Sequence, residues 1–209
     1  RGNAKYALED YKGAIDDYTK GIEINPNYED NYYSRGKAKY KLEDYYGAIG
    51  DYTKAIELNP NEAYNYFSSR GNAKYALEDY KGAIGDYTKA LELDPTDVYN
   101  YWYRGSAKYE LEDYKGAIDD YTKGIELDPN DEDSYWMRGA AKENLEDYYG
   151  AINDFTKAIE LDPTDATNYY SRGNSKFELG DLKNACKDWE MATELGSKDA
   201  ASQVVKNCK

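Results

Sequence analysis

The chain has 209 residues, a formal net charge of −14, no histidine, two cysteines and 26 tyrosines. So acidic a chain suits neither nucleic acid, where binding rests on cationic neutralisation of phosphates, nor an anionic membrane surface. Without histidine the commonest general base and metal ligand are missing, and no apolar run approaches the roughly 20 residues of a membrane span.

From the first residue onward the pair Arg-Gly recurs, at Arg1-Gly2, Arg35-Gly36, Arg70-Gly71, Arg104-Gly105, Arg138-Gly139 and Arg172-Gly173, with spacings of 34, 35, 34, 34 and 34 residues. A fixed period in this range signals stacked supersecondary units. Each copy predicts two helices, seen most cleanly from Tyr101 to Ser134. The first carries Tyr-x-x-Arg-Gly-x-x-Lys-Tyr, a turn follows at Leu-Glu-Asp-Tyr, and the second carries Gly-Ala-Ile-x-Asp-Tyr-Thr-Lys. An Asp-Pro or Asn-Pro ends it, because proline cannot continue a helix.

Residues 1–26 read as a truncated copy, residues 27–60, 61–95, 96–129 and 130–163 as full copies, and residues 164–196 as a divergent last one. The opening at Arg1, within a first helix and without methionine, suggests a piece of a longer chain. The extra residue of the third copy falls near Glu62-Ala63-Tyr64, at an inter-repeat turn, where insertions are tolerated. In the last copy Cys186 replaces isoleucine, Trp189 replaces tyrosine and Ser197 stands in place of proline. Residues 197–209 then read as a C-terminal capping helix, so that 1–209 form one array, its end compatible with solvent.

Small residues recur with the period: Gly36, Ala48 and Ala55 let two helices approach closely, where larger side chains would overpack. Asp44 is placed to cap the second helix. Acidic residues after the prolines, such as Glu29, Asp30, Asp131 and Glu132, suit the positive end of the next helix. With hydrophobic content at 40%, tyrosine rings must supply much of the buried area.

Tyr32, Gly36, Tyr45, Ala48, Tyr52, Ala55 and Pro60, repeated along nearly the whole chain, resemble the tetratricopeptide repeat (TPR) family. Two positions depart from its pattern: Arg35 and its equivalents stand where leucine is usual, and Lys39 and its equivalents where tyrosine is usual. The resemblance implies an all-α fold, a right-handed TPR superhelix (α-solenoid) whose concave face binds peptides or proteins. In the family that face is lined by the first helix of each repeat.

Counted from the Arg-Gly anchor, residues 3 or 4 apart share one helical face. That row begins with Asn3 and Tyr6 and continues through Tyr33, Lys37 and Tyr40, then Ser68, Asn72 and Tyr75, then Trp102, Ser106 and Tyr109. Trp136, Ala140 and Glu143 follow, and finally Tyr170, Asn174 and Phe177. The residue two before the arginine changes between otherwise near-identical copies, as a binding face would. The candidate groove residues are Tyr33, Lys37, Tyr40, Asn72, Trp102, Tyr109, Trp136, Tyr170 and Asn174; the same aromatics packing within the array is the alternative. The clamp with which some TPR proteins grip a C-terminal carboxylate is missing, since Ser34, Ser69, Tyr103, Met137 and Ser171 occupy the positions before the repeated arginine.

Each repeated arginine is followed 16 residues later by an aspartate, as in Arg1–Asp17, Arg35–Asp51, Arg70–Asp86, Arg104–Asp120, Arg138–Asp154 and Arg172–Asp188. A partly buried guanidinium needs a partner, so an ion pair between the two helices of each repeat is expected; a column of ligand-binding arginines is the functional alternative. The paired acids Glu9-Asp10, Glu43-Asp44, Glu78-Asp79, Glu112-Asp113 and Glu146-Asp147 fall at the inter-helix turn and read as capping and solubility, not catalysis. Asp128 to Asp133 lacks the spacing of a calcium loop and reads as a solvated turn. Cys186 and Cys208 could staple the cap, which would imply an oxidising compartment. Two reduced, buried thiols are the simpler reading.

The sequence thus predicts a non-catalytic scaffold, with no cofactor and no metal, holding a protein or peptide of basic character, with self-assembly as the alternative. Its compartment is unknown: cytoplasmic by default, exported if the cysteines are bridged.

Overall fold

The computed structural model describes residues 1–208, and among these it is built of α-helices joined by turns, without a strand. In order they are α1 (Gly2–Ala7), α2 (Tyr11–Ile24), α3 (Glu29–Lys41), α4 (Tyr45–Leu58), α5 (Tyr64–Ala76), α6 (Tyr80–Leu93) and α7 (Val98–Glu110). Then come α8 (Tyr114–Leu127), α9 (Glu132–Asn144), α10 (Tyr148–Leu161), α11 (Ala166–Glu178), α12 (Leu182–Glu194) and the capping helix α13 (Lys198–Asn207). The chain forms two compact units, Arg1–Ala107 and the part from Lys108 on. Within the first, each of α1 to α5 packs on the next helix; within the second, each of α8 to α12 does. The extra residue of the third copy is taken up by a short 3-10 turn, Pro60–Glu62.

The inter-helix turn repeats atom for atom. After α3, the Glu43 N–H donates to the Tyr40 carbonyl at 2.9 Å and the Asp44 N–H to the Lys39 carbonyl at 3.0 Å, which is a Schellman end. Such an end needs one left-handed residue. Glu9, Glu43, Glu78, Glu112 and Glu146 supply it at φ 60–61°, and Gly180 at 79° in the last copy. The next residue caps the following helix: the Asp44 carboxylate accepts from the Gly47 N–H at 3.0 Å, and Asp10, Asp79, Asp113, Asp147 and Asp181 do the same. The paired acids therefore divide the work, one bending the chain and one capping.

A non-glycine residue in the left-handed region costs about 1–2 kcal/mol, part of which glycine returns as backbone entropy. We expect Glu146→Gly to raise stability by about 0.5–1 kcal/mol. A thermal melt checks it; a lowered midpoint would mean that the Glu146 side chain contributes more than its conformation costs.

The core of each repeat is one aromatic ring between small residues. A Cβ on Gly36 would lie 2.6 Å from the Tyr52 ring, and one on Gly71, Gly139 or Gly173 would lie 2.7 Å from Tyr87, Phe155 or Trp189. Ala48, Ala55, Ala83, Ala90, Ala151 and Ala158 are fully buried around these rings.

Both departures from the family pattern meet at one buried carboxylate. Arg35, Arg70, Arg138 and Arg172 each donate Nη2 to Oδ1 of Asp51, Asp86, Asp154 and Asp188 at 2.7 Å. They donate Nε to Oδ2 at 2.9–3.0 Å. Lys39, Lys74, Lys108, Lys142 and Lys176, one helical turn on, reach the same aspartates or, for Lys108, Asp120, at 2.7–2.8 Å. The remaining guanidinium nitrogen crosses to the previous second helix: Arg35 donates to Thr19 and Arg138 to Thr122, both at 3.1 Å. Each guanidinium also lies 5.5–5.8 Å over the ring three residues before it, such as Tyr32 or Tyr135. In the first copy Lys5 holds Asp17 at 2.9 Å, and Arg1 contributes only attraction from a distance. The predicted ion pair is thus a clamp of two cations on one carboxylate, tied to the neighbouring repeat.

At the far end, Gly196 (φ 100°) folds α13 back onto α12. The reading of Cys186 and Cys208 as reduced thiols is corrected: they form a disulfide across a sequence separation of 22. The fold-back places the two positions at similar distances from the turn, and their Cα atoms stand 5.7 Å apart, within bridging distance.

Candidate functional site

The first-helix row is half-buried at every candidate position. In the first unit it opens into a cleft of about 180 Å³ lined by Tyr6, Lys37, Tyr40, Lys41, Tyr52, Ser69 and Asn72. Three candidates from two successive first helices, Lys37, Tyr40 and Asn72, meet here. The Lys37 ammonium lies 4.7 Å from the Tyr33 ring centroid and 5.7 Å from that of Tyr6, within cation–π range. Tyr40 stands edge-on to Tyr45 at 5.2 Å, and burial pushes its phenol pKa up. Asn72 accepts from the Tyr87 hydroxyl at 2.8 Å, which fixes the amide and leaves its N–H₂ group without an acceptor among the described residues. In an acidic chain, this cleft is cationic, amide-bearing and aromatic.

Tyr33 is turned toward packing instead. Its ring lies 4.8 Å from Tyr66 and 5.8 Å from Tyr52, so it supports the cleft wall. Trp102 stands edge-on to Tyr103 at 5.0 Å, with its indole N–H buried and without an acceptor among the described residues.

The second unit has its own cleft, of about 340 Å³, lined by Glu143, Tyr148, Asn174, Phe177, Glu178, Trp189, Gln203, Lys206 and Asn207. Asn174 repeats the role of Asn72, accepting from the Trp189 indole at 3.0 Å. The other candidates of this unit are engaged internally. Tyr109 accepts from the Asn144 amide at 2.9 Å, the Trp136 indole donates to the Ser171 hydroxyl at 3.3 Å, and Tyr170 packs against the cluster around Trp189. Burial raises the carboxyl pKa of Glu143, partly offset by the Ser175 hydrogen bond, and Glu178 adds to the rise.

Sequence reasoning missed Lys41 and Glu178. A usable signal existed: their position in the repeat reads Ala7, Lys41, Ala76, Glu110, Asn144 and Glu178, as variable as the position two before the arginine. Among the described residues, no helix is long and apolar enough to cross a membrane.

The paired-helix repeat and its first-helix clefts define a helical repeat protein of the TPR class. The TPR repeat family matches residues 2–43, 71–111, 105–146 and 144–180, and the tetratricopeptide repeat family matches residues 30–62. The chain belongs to the TPR family. No curated protein matches it. Among solved structures it is similar to MamA, with a TM-score of 0.75 and 26% identity over 79% of this chain and 96% of that one. It is also similar in fold to YrrB, a TPR protein with an unusual peptide-binding site, with a TM-score of 0.79 and 23% identity over 90% of this chain and 97% of that one. The C-terminal part of a TPR repeat-containing protein from Cytophaga hutchinsonii gives a TM-score of 0.83 at 24% identity, over 93% of this chain and 77% of that one.

Proposed function

We propose that the chain is a non-catalytic interaction scaffold that holds a peptide or an extended protein segment along its first-helix faces. The observation that carries this is the cleft of the first unit, where Lys37, Tyr40 and Asn72 meet around open space with the Asn72 amide held by Tyr87. A fixed amide can pair with a backbone carbonyl of a bound segment, and tyrosine offers a large apolar contact with a polar end, as interface anchors do. The peptide-binding site of YrrB, a protein of the same fold, supports the reading. A net charge of −14 suits a basic partner, whose encounter would be steered electrostatically and weakened by salt.

Photo-crosslinking tests the proposal. Lys41→p-benzoylphenylalanine puts the label on an exposed cleft residue, and Tyr46→p-benzoylphenylalanine puts it on α4 at a residue that is 78% exposed. A partner that crosslinks from position 41 and not from 46 supports cleft binding. Crosslinks from 46 alone would move the binding surface to the second helices and overturn it.

A further inference from the structure

The cleft of the second unit differs from that of the first in the sign of its charge. Its lining includes the acids Glu143 and Glu178, the rings of Tyr148 and Phe177, and Trp189, which is 1% exposed. Glu143 stands where four other copies have a tyrosine, at Tyr6, Tyr40, Tyr75 and Tyr109. A half-buried tyrosine has here been exchanged for a half-buried acid. Among the described residues, the only hydrogen bond to its carboxylate is from the Ser175 hydroxyl, at 2.6 Å, and neither Glu143 nor Glu178 has a cation within ion-pair distance. Lys206 of α13 also lines the cleft; it is exposed and pairs with neither acid. The Phe177 ring, 41% exposed, lies 5.5 Å from that of Trp189, giving an aromatic wall beside the carboxylates. The Tyr148 phenol pKa is raised by burial and, less strongly, by the charges of Glu178, Glu146 and Glu143.

An aromatic wall and an unpaired carboxylate together make a receptor for an organic cation: the ring face attracts the charge, and the carboxylate gains the counter-ion that its burial demands. We propose that this cleft is a socket for a lysine or arginine side chain of the peptide partner, with Glu143 and Glu178 as the anionic contacts and Phe177 and Tyr148 flanking the aliphatic stem. The inference rests on the scaffold reading and gives its basic partner a specific seat.

The test is an NMR titration of the whole chain with tetralysine at physiological ionic strength, following the Trp189 indole and the Asn174 side-chain amide. Wild type is compared with Glu143→Tyr, which restores the residue of the other copies, with Glu143→Gln, which keeps the size should the first disturb folding, and with Glu23→Gln, which removes one exposed charge from α2. The expected result is a shift of both probes, with Kd weakened on the order of tenfold in the Glu143 variants and unchanged in Glu23→Gln. Equal Kd in all four proteins, or shifts spread over the acidic surface without the two probes, would overturn the socket and leave diffuse attraction. That outcome is separate from failure of the scaffold reading, which is judged by crosslinking from position 41 in the other unit.

Discussion

Replacing Asp154 by alanine should lower the melting midpoint by about 5–15 °C. The carboxylate is 4% exposed and holds Arg138 and Lys142 at 2.7 Å. Removing one partner of a buried ion pair typically costs about 3–5 kcal/mol, because the partner's charge is left unpaired. Here the two cations keep 15% and 20% of their side-chain surface in water, which lowers the expected loss to about 2–4 kcal/mol. In a chain of this size each kcal/mol moves the midpoint by about 2–4 °C. The loss also loosens the contact with the previous repeat, since Arg138 is the residue that reaches Thr122. The converse experiment is Arg138→Leu/Lys142→Tyr/Asp154→Leu, which returns the first two positions to the residues usual in the family. Replacing a whole buried ionic group by apolar packing is often neutral or stabilising, so the triple variant should melt well above the single one. If Asp154→Ala melts like wild type, the clamp contributes nothing to stability and the repeated arginines need another explanation.

The second large effect is at the cap. Reducing the Cys186–Cys208 bridge, or changing both cysteines to serine, releases a loop spanning a sequence separation of 22, worth about 3 kcal/mol in chain entropy. In a repeat array the loss stays local, because each unit is supported by its neighbours only. The α13 helix buries Ala200 alone among its residues, and Val205 is 75% exposed, so little else holds it. Amide exchange over Lys198–Asn207 should therefore accelerate on the order of a hundredfold on reduction, while α9 and α10 keep their protection. Uniform acceleration along the chain would show that the bridge stabilises the array as a whole; no change would show that packing of Ala200 and Val204 on Trp189 suffices.

What the sequence made legible was whatever repeats within one unit. The period gave the helix pairs, Asp44 and its equivalents gave the caps, and the recurrence of Gly36, Ala48 and Ala55 gave the close helix contact later seen at the Tyr52 ring. The Arg35–Asp51 pair was visible for the same reason. Lys39 was seen only as a departure, although it recurs in step with Arg35 and lies four residues on, one turn along the same face. The link to Thr19 was not visible because it joins two repeats, and spacing within one repeat says nothing about which neighbouring atoms meet. The left-handed Glu43 was hidden because nothing in a Glu-Asp pair marks it; only Gly180, in the divergent copy, points to that conformation.

The groove was legible as a row but not as sites. A helical face fixes which residues share a side, so Lys37, Tyr40 and Asn72 were found together. It does not fix which members are covered by the next repeat. Tyr33, Trp136 and Tyr170 proved to be engaged with Tyr66, Ser171 and the Trp189 cluster. The charge of each cleft depends on Lys41 and on the pair Glu143 and Glu178, which differ from copy to copy against a net charge that hides them.

The most direct measurement of the central claim is affinity capture from a lysate of the source cells, comparing the wild-type chain with Lys37→Ser/Tyr40→Ala/Asn72→Ala after confirming that both melt as folded proteins. A scaffold that works through its first-helix clefts retains a partner on the wild-type chain and loses it on the variant. Equal retention by both, or recovery of nothing beyond further copies of the chain itself, would contradict cleft binding.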